Sequence, residues 1–219
     1  MQKQLEILRK FFDKYFFIAF LGYFLFVAVF AITAKLTSEI KYLVKLDVIV
    51  QNLIIGLRTD SLTKALNIFT DLGDTKLMIF LTIAAVALLF LKKHYTYSIG
   101  IALSIGIAEI VSFVLKNAVN RHRPPEFINL VHESTASFPS GHTTAAISFY
   151  GFLIYFFYKN IKNKIWRNVL ILICGIIILL AGFARIYLGA HWPSDVIASY
   201  ILGGVWLWII ISIIKKINY

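Results

Sequence analysis

The chain has 219 residues, of which 59% are hydrophobic and only 15% charged, with a net charge of +11 and a mean hydropathy of +0.79. Soluble domains carry about 25% charged residues, so the composition excludes a soluble globular protein and points to one that sits in a membrane. The basic excess is divided among separate loops instead of forming one patch, which argues against a nucleic-acid partner and for the positive-inside rule.

Six apolar stretches are predicted to be transmembrane helices: 15–34, 77–91, 97–115, 143–158, 169–184 and 196–214. Several are shorter than the ~20 residues that cross a bilayer, so their ends are expected to run on into flanking polar residues. The fold class expected is therefore all-α, a polytopic bundle forming one membrane-embedded domain over residues 1–219. Arg9, Lys10 and Lys14 precede the first stretch and no small-residue cleavage site follows it, so it reads as a retained span, not a signal peptide.

Between the first and second stretches, Leu62, Ala65, Leu66 and Phe69 recur at helical spacing and predict an amphipathic helix that stops at Gly73. Residues 40–57 carry Lys41, Lys45 and Asn52 on one side and aliphatics around the rest. Both segments are expected to be helices at the membrane interface, or equally a lid over the bundle. Cys174, the single cysteine, lies inside the fifth stretch, so no internal disulfide forms and it reads as a small buried apolar residue. Trp166, Trp206 and Trp208 suit an interfacial belt.

Lys92 and Lys93 follow the second stretch; Lys159, Lys162, Lys164 and Arg167 follow the fourth; Lys215 and Lys216 follow the sixth. Every second short loop is basic, which places both termini in the cytoplasm. Three polar clusters then fall on the outer side: Lys116 to Pro124, Pro139 to His142, and Arg185 to Asp195. All four prolines and four of the five histidines lie in or beside them.

Each cluster has its own chemistry. His191 and Asp195 share a helix face at four-residue spacing, so the carboxylate can bond one ring nitrogen and leave the other as a nucleophile or base. Ser140 and Gly141 stand where a helix begins, exposing unpaired backbone N–H groups and the positive end of its dipole, an anion site. His142 is placed beside it to protonate a leaving group. Lys116, Arg123 and Arg185 supply cations, and arginine forks suit phosphate oxygens. Pro124 should end the third helix near Arg123. Arg121 reads as interfacial snorkelling. Only Asp195 among the carboxylates lies inside a cluster, with Glu126 and Glu133 in the loop between the first two, so no metal and no cofactor is expected. Glu109 lies seven residues before Lys116 and, as a membrane-buried carboxylate, reads as a functional-site candidate or, favoured because it lies too deep for the phosphate, as a polar contact to a neighbouring helix with Ser112 nearby.

The set K-x6-R-P at 116–124, P-S-G-H at 139–142 and R-x5-H-x3-D at 185–195 resembles the signature of the type 2 phosphatidic acid phosphatase superfamily, integral-membrane lipid phosphatase branch. One position departs from it: Ala184 stands where the third motif usually opens with serine, which removes a hydrogen bond but no charged group. The resemblance implies that His191 attacks phosphorus with Asp195 orienting it, that His142 protonates the leaving oxygen and then activates water, and that Lys116, Arg123, Ser140, Gly141 and Arg185 hold the phosphate. The implied substrate is a membrane lipid phosphate or diphosphate at the outer face, undecaprenyl diphosphate or phosphatidylglycerol phosphate foremost, with no obligate protein partner. The alternatives are an anion transporter and a vanadate-dependent haloperoxidase-like enzyme. Transporters hold such charges near the midplane, and those haloperoxidases are soluble.

Overall fold

The computed structural model describes residues 2–37 and 40–218, and among them the chain is all-helical. The helices are α1 (Gln2–Phe11), α2 (Lys14–Thr37), α3 (Lys41–Ile55), α4 (Asp60–Asp71), α5 (Thr75–Leu91), α6 (Tyr95–Val119), α7 (Gly141–Asn160), α8 (Lys164–Tyr187) and α9 (Pro193–Asn218), with a 3-10 turn at Glu126–Ile128 between α6 and α7. All six apolar stretches lie inside helices, and their ends do run on, giving 24 residues in α2 and α8, 25 in α6 and 26 in α9.

The expected six spans are reduced on length and composition. Among the described residues four helices, α2, α6, α8 and α9, qualify singly, and α4 with α5 makes a fifth candidate bent by 47°. The helix α7 falls outside this set because its first two turns are rich in polar residues, and the reason is its position. It packs against α6, α8 and α9, and Thr143, Thr144 and Ser148 are buried there. A helix screened from lipid by its neighbours does not need an apolar surface all round. The outer faces of α2, α5 and α8, by contrast, leave Leu21, Leu25, Ile32, Ile83, Leu172 and Leu179 exposed. An apolar girdle of that extent is stable in hydrocarbon and not in water. The chain is a multi-pass membrane protein.

Trp206 departs from the expected interfacial belt. It is wholly buried, its indole N–H donates to the Leu103 carbonyl at 2.9 Å, and its ring lies 4.9 Å from that of Tyr23. The Tyr23 hydroxyl donates to the Leu202 carbonyl at 3.1 Å. A large ring with one polar tip fills the junction of α2, α6 and α9 and satisfies its donor on a backbone acceptor. Trp166 and Trp208 remain exposed, and Cys174 is buried with a free thiol.

The two predicted amphipathic segments are α3 and α4, packed across α8 and, for α3, α9. Thr59 caps α4, accepting from Leu62 N, and Gly73 sits in the turn after it, as expected. The corner between them is fastened to the end of α8. Arg58 donates to the Tyr187 carbonyl and to the Ile128 carbonyl, both at 2.7 Å, and the Tyr187 hydroxyl accepts from Thr59 N. Gln51 donates to the Ile186 carbonyl at 2.6 Å. Bonds to carbonyls in the last turn of a helix and in the 3-10 turn are a strong reason for these helices to lie where they do.

Candidate active site

Two local turns aim the polar clusters at one another. Helix α6 stops because Asn120 takes the left-handed conformation, φ 48°, which asparagine tolerates better than most residues. The chain then crosses over as Arg121–Pro124. After α8, Gly189 has φ 78°, and a Cβ there would stand 2.5 Å from the Ile128 carbonyl oxygen. Only glycine fits, and the turn carries the chain into His191. Helix α9 opens with Pro193 in its first turn, and the Asp195 carboxylate reaches back to accept from Trp192 N at 3.0 Å, the return half of a capping box.

The cations are held individually. Arg185, buried at the end of α8, donates to Thr70 Oγ1 at 3.0 Å and to Glu133 Oε1. Arg123 donates to the Thr135 and Ala190 carbonyls, each at 2.6 Å, stands 3.4 Å from His191 Nε2, and lies 3.7 Å from Glu133 Oε2. Lys116 donates from Nζ to the Ala136 carbonyl at 2.8 Å. Burial raises the Glu133 carboxyl, but Arg185 and Arg123 outweigh it and hold the group below its usual range. An anionic carboxylate thus already occupies the space between two of the three phosphate-seeking cations.

At the start of α7, Ser140 is fully buried. Its N–H donates to Ser199 Oγ at 2.8 Å, so this amide is not free for a ligand, and its hydroxyl accepts from Thr143 Oγ1 at 2.9 Å. The amides of Gly141 and His142 have no acceptor within the helix, and the nearest atom to a Cβ on Gly141 would be Ser112 Oγ at 3.9 Å. The anion nest of the sequence is reduced to these amides and the Ser140 hydroxyl proton. His142 is packed against the α4–α5 turn, where a Cβ on Gly73 would fall 2.9 Å from its carbonyl oxygen.

The His191–Asp195 pair is looser than its spacing suggests. His191 Nδ1 stands 3.8 Å from Asp195 Oδ2 and has no hydrogen-bond partner. The carboxylate is engaged elsewhere: Ser137 Oγ donates to Oδ2 and Arg121 to Oδ1, each at 2.5 Å. Burial, opposed by Asp195 and reinforced by Arg185 and Arg123, pushes His191 down to about 3. The imidazole is neutral and keeps a lone pair at physiological pH.

Arg121 corrects the snorkelling assignment. Its side chain is only 12% exposed and bridges two carboxylates, Asp195 and Asp47, the latter at 2.6 Å. Snorkelling requires an outlet to water, and α3 closes that outlet. Asp47 and Glu133 were both missed by the sequence reading. Glu133 lies in an irregular loop with no periodic signal; Asp47 is the single acidic residue in α3, which is the signal that could have found it.

Among the described residues no group of three His, Cys, Asp or Glu side chains is placed to hold a metal ion. Glu109 does not make the expected contact through Oε1, which is buried without a partner, as is Ser112 Oγ. Instead Glu109 lines a groove between α5 and α6.

Residues 97–219 match the family described as PAP2 superfamily. The chain belongs to it. Phosphatidylglycerophosphatase B of Bacillus subtilis is 31% identical over 166 residues, 74% of this chain and 80% of that protein. Undecaprenyl-diphosphatase BcrC of the same organism is 35% identical over 144 residues, 58% of this chain and 67% of that one. The crystal structure of a transmembrane PAP2 type phosphatidylglycerolphosphate phosphatase from Bacillus subtilis superposes with a TM-score of 0.78 at 26% identity, covering 88% of this chain and 96% of that chain. The PAP2 match encloses all three clusters, and the structure gathers Lys116, Arg123, Ser140, Gly141, His142, Arg185, His191 and Asp195 at one end of the bundle.

Proposed function

We propose that this membrane lipid phosphatase works through a phosphohistidine on His191, at the outer face of a cytoplasmic membrane. The observation that carries the reading is the placement of a neutral, buried His191 with Nε2 3.4 Å from Arg123, a cation that shares the Glu133 carboxylate with Arg185. In the first half-reaction the Nε2 lone pair attacks phosphorus, the phosphorus–oxygen bond to the leaving group breaks, and His142 passes the proton carried in by the phosphate monoanion to the leaving oxygen. In the second, neutral His142 takes a proton from water, the resulting hydroxide attacks phosphorus, and the phosphorus–nitrogen bond breaks to return His191 neutral. Lys116, Arg123, Arg185, the Ser140 hydroxyl and the Gly141 amide face the charge that gathers on the phosphoryl oxygens. Asp195 faces the Nδ1 side of the ring and stabilises the cationic imidazole that forms.

Six spans, α2 and α5 to α9, with α3 and α4 at the outer interface, fit this reading. The basic loops at Lys92, Lys159 to Arg167 and Lys215 all lie at the helix ends opposite the site, as cytoplasmic loops should. The groove between α5 and α6, about 720 Å³, starts at Thr75, two residues from the Gly73 contact with His142, and is lined by Met78, Ile83, Val86 and Phe90. It offers a tail a path beside the site, which suits a lipid phosphate or diphosphate such as undecaprenyl diphosphate or phosphatidylglycerol phosphate. Incubation with labelled lipid in vesicles should yield acid-labile phosphate on the protein, and His191→Ala should abolish that label and lower turnover by about 10³-fold or more. Vanadate, which adopts the five-coordinate geometry of phosphoryl transfer, should inhibit, and EDTA should not. Near-normal turnover in His191→Ala would overturn the assignment.

A further inference from the structure

Helix α3 lies outside the PAP2 match, yet it sends one acidic side chain into the catalytic end of the bundle. Asp47 is 5% exposed and accepts three bonds: from Ser194 N at 2.9 Å, from Ser194 Oγ at 2.6 Å and from Arg121 at 2.6 Å. The other terminal nitrogen of Arg121 donates to Asp195, which is wholly buried, and to Ser194 Oγ at 2.8 Å. One guanidinium therefore stands between two buried carboxylates, one facing His191 and one facing away from it.

The charges matter as much as the bonds. A buried ion attracts its neighbours far more strongly than a solvated one. Arg121 alone would cancel the charge of Asp195, and His191, 3.8 Å away, would face a neutral pair. With Asp47 behind it, the guanidinium is shared, and the three groups keep a net charge of minus one. Both Arg121 contacts use separate nitrogens, so the fork also fixes the plane of the Asp195 carboxylate.

We propose that Arg121 and Asp47 are positioning residues for the nucleophile: Arg121 orients Asp195, and Asp47 offsets the charge of Arg121 so that His191 still faces an uncancelled carboxylate as it becomes cationic. The proposal rests on His191 as the attacking group. It makes the α3 segment part of the catalytic apparatus, not only a cover over the bundle.

The test follows net charge. In full-length protein reconstituted with long-chain lipid phosphate, Asp47→Asn leaves Arg121 paired with Asp195 alone, and kcat and the rate of phosphohistidine formation should fall about tenfold while KM stays within about twofold. Asp47→Glu should recover part of that loss. Asp47→Asn combined with Arg121→Gln restores the net charge, and should return kcat to within about threefold of the parent, since removing both members of a buried pair is milder than removing one. A structural bolt would behave oppositely, the double variant being the worse. Unchanged kcat in Asp47→Asn overturns the proposal, as does any need for Asp47 that survives the removal of Arg121, whether it shows as lost rate or as lost fold. A parent protein that traps no phosphate on His191 would instead defeat the underlying mechanism.

Discussion

The two halves of the chain bring different kinds of residue to the same place. From Lys116 onward come the groups proposed to face phosphate: three cations, two histidines, a helix start and Asp195. From the half before Leu91 come Asp47, Thr70 and Gly73, and each touches a residue of the other half: Arg121, Arg185 and His142 in turn. In the proposed mechanism the second half carries the chemistry, because phosphoryl transfer dictates its residue types. The first half would then carry orientation, which many residue types can supply, and it lies outside the PAP2 match, which begins at residue 97.

Gly73 offers the strongest way to break that division. A methyl group there would press 2.9 Å from the His142 carbonyl and 3.2 Å from its Cβ, closer than backbone atoms permit, so the start of α7 must move. A displacement of about 1 Å at a catalytic group costs up to about 10²-fold. Gly73→Ala should lower kcat about 10- to 100-fold, while vanadate binding weakens less, since only Ser140 and Gly141 among its proposed donors move and Lys116, Arg123 and Arg185 stay in place. Steady-state turnover alongside vanadate inhibition would check this. A wild-type kcat would return the first half to a passive role.

The same division explains what was legible in the sequence. The three clusters, the helical class and the positions of α2, α5, α6, α8 and α9 follow from hydropathy and motif spacing, which are local properties. That the candidate site residues gather at one end of the bundle was legible because each cluster sits at a helix end and spacing along a helix fixes its face. Asp47 was not, because its significance depends on a partner 74 residues away, Arg121. Arg121 itself was misread for the same reason: only the docking of α3 removes its route to water. Glu133 reaches Arg185 across 52 residues from an irregular loop. Residues 143–158 read as a span from their apolar run, whereas the burial of the polar first turns of α7 among α6, α8 and α9 is a property of the packed bundle.

Glu133 sharpens the comparison from within the second half. Its carboxylate sits on Arg185 and near Arg123, where a phosphoryl group is expected, and its side chain is 26% exposed. An incoming phosphate must compete with it. Glu133→Gln keeps the shape and removes the charge, so vanadate should bind about five- to tenfold tighter and KM should fall, with kcat changing by less than about threefold. Weaker vanadate binding would show instead that Glu133 serves to hold the arginines in place.

The smallest effect expected is a proton linkage at His191. Its ionisation is set within the second half, by burial and by Arg185 and Arg123, which outweigh Asp195 and push it down to about 3. In the unfolded chain the imidazole titrates near 6.5. Above that value both states are neutral at this position and pH has no leverage through it. As pH falls below about 6.5 the unfolded chain takes up a proton that the native site excludes, so stability declines, and it goes on declining until the native imidazole titrates in turn. At pH 5 the penalty is roughly 2 kcal/mol. Glu133 acts in a lower window, because a carboxyl held below its usual range costs stability only once pH drops towards the carboxylate range. Melting the parent and His191→Asn in the same detergent at pH 7.5 and at pH 5 separates the two, since only the histidine term lies between those values. The variant should lose less stability than the parent on going to pH 5. Equal losses would mean that His191 is accessible to protons in the folded state, and that the closed environment assigned to the nucleophile is open to water.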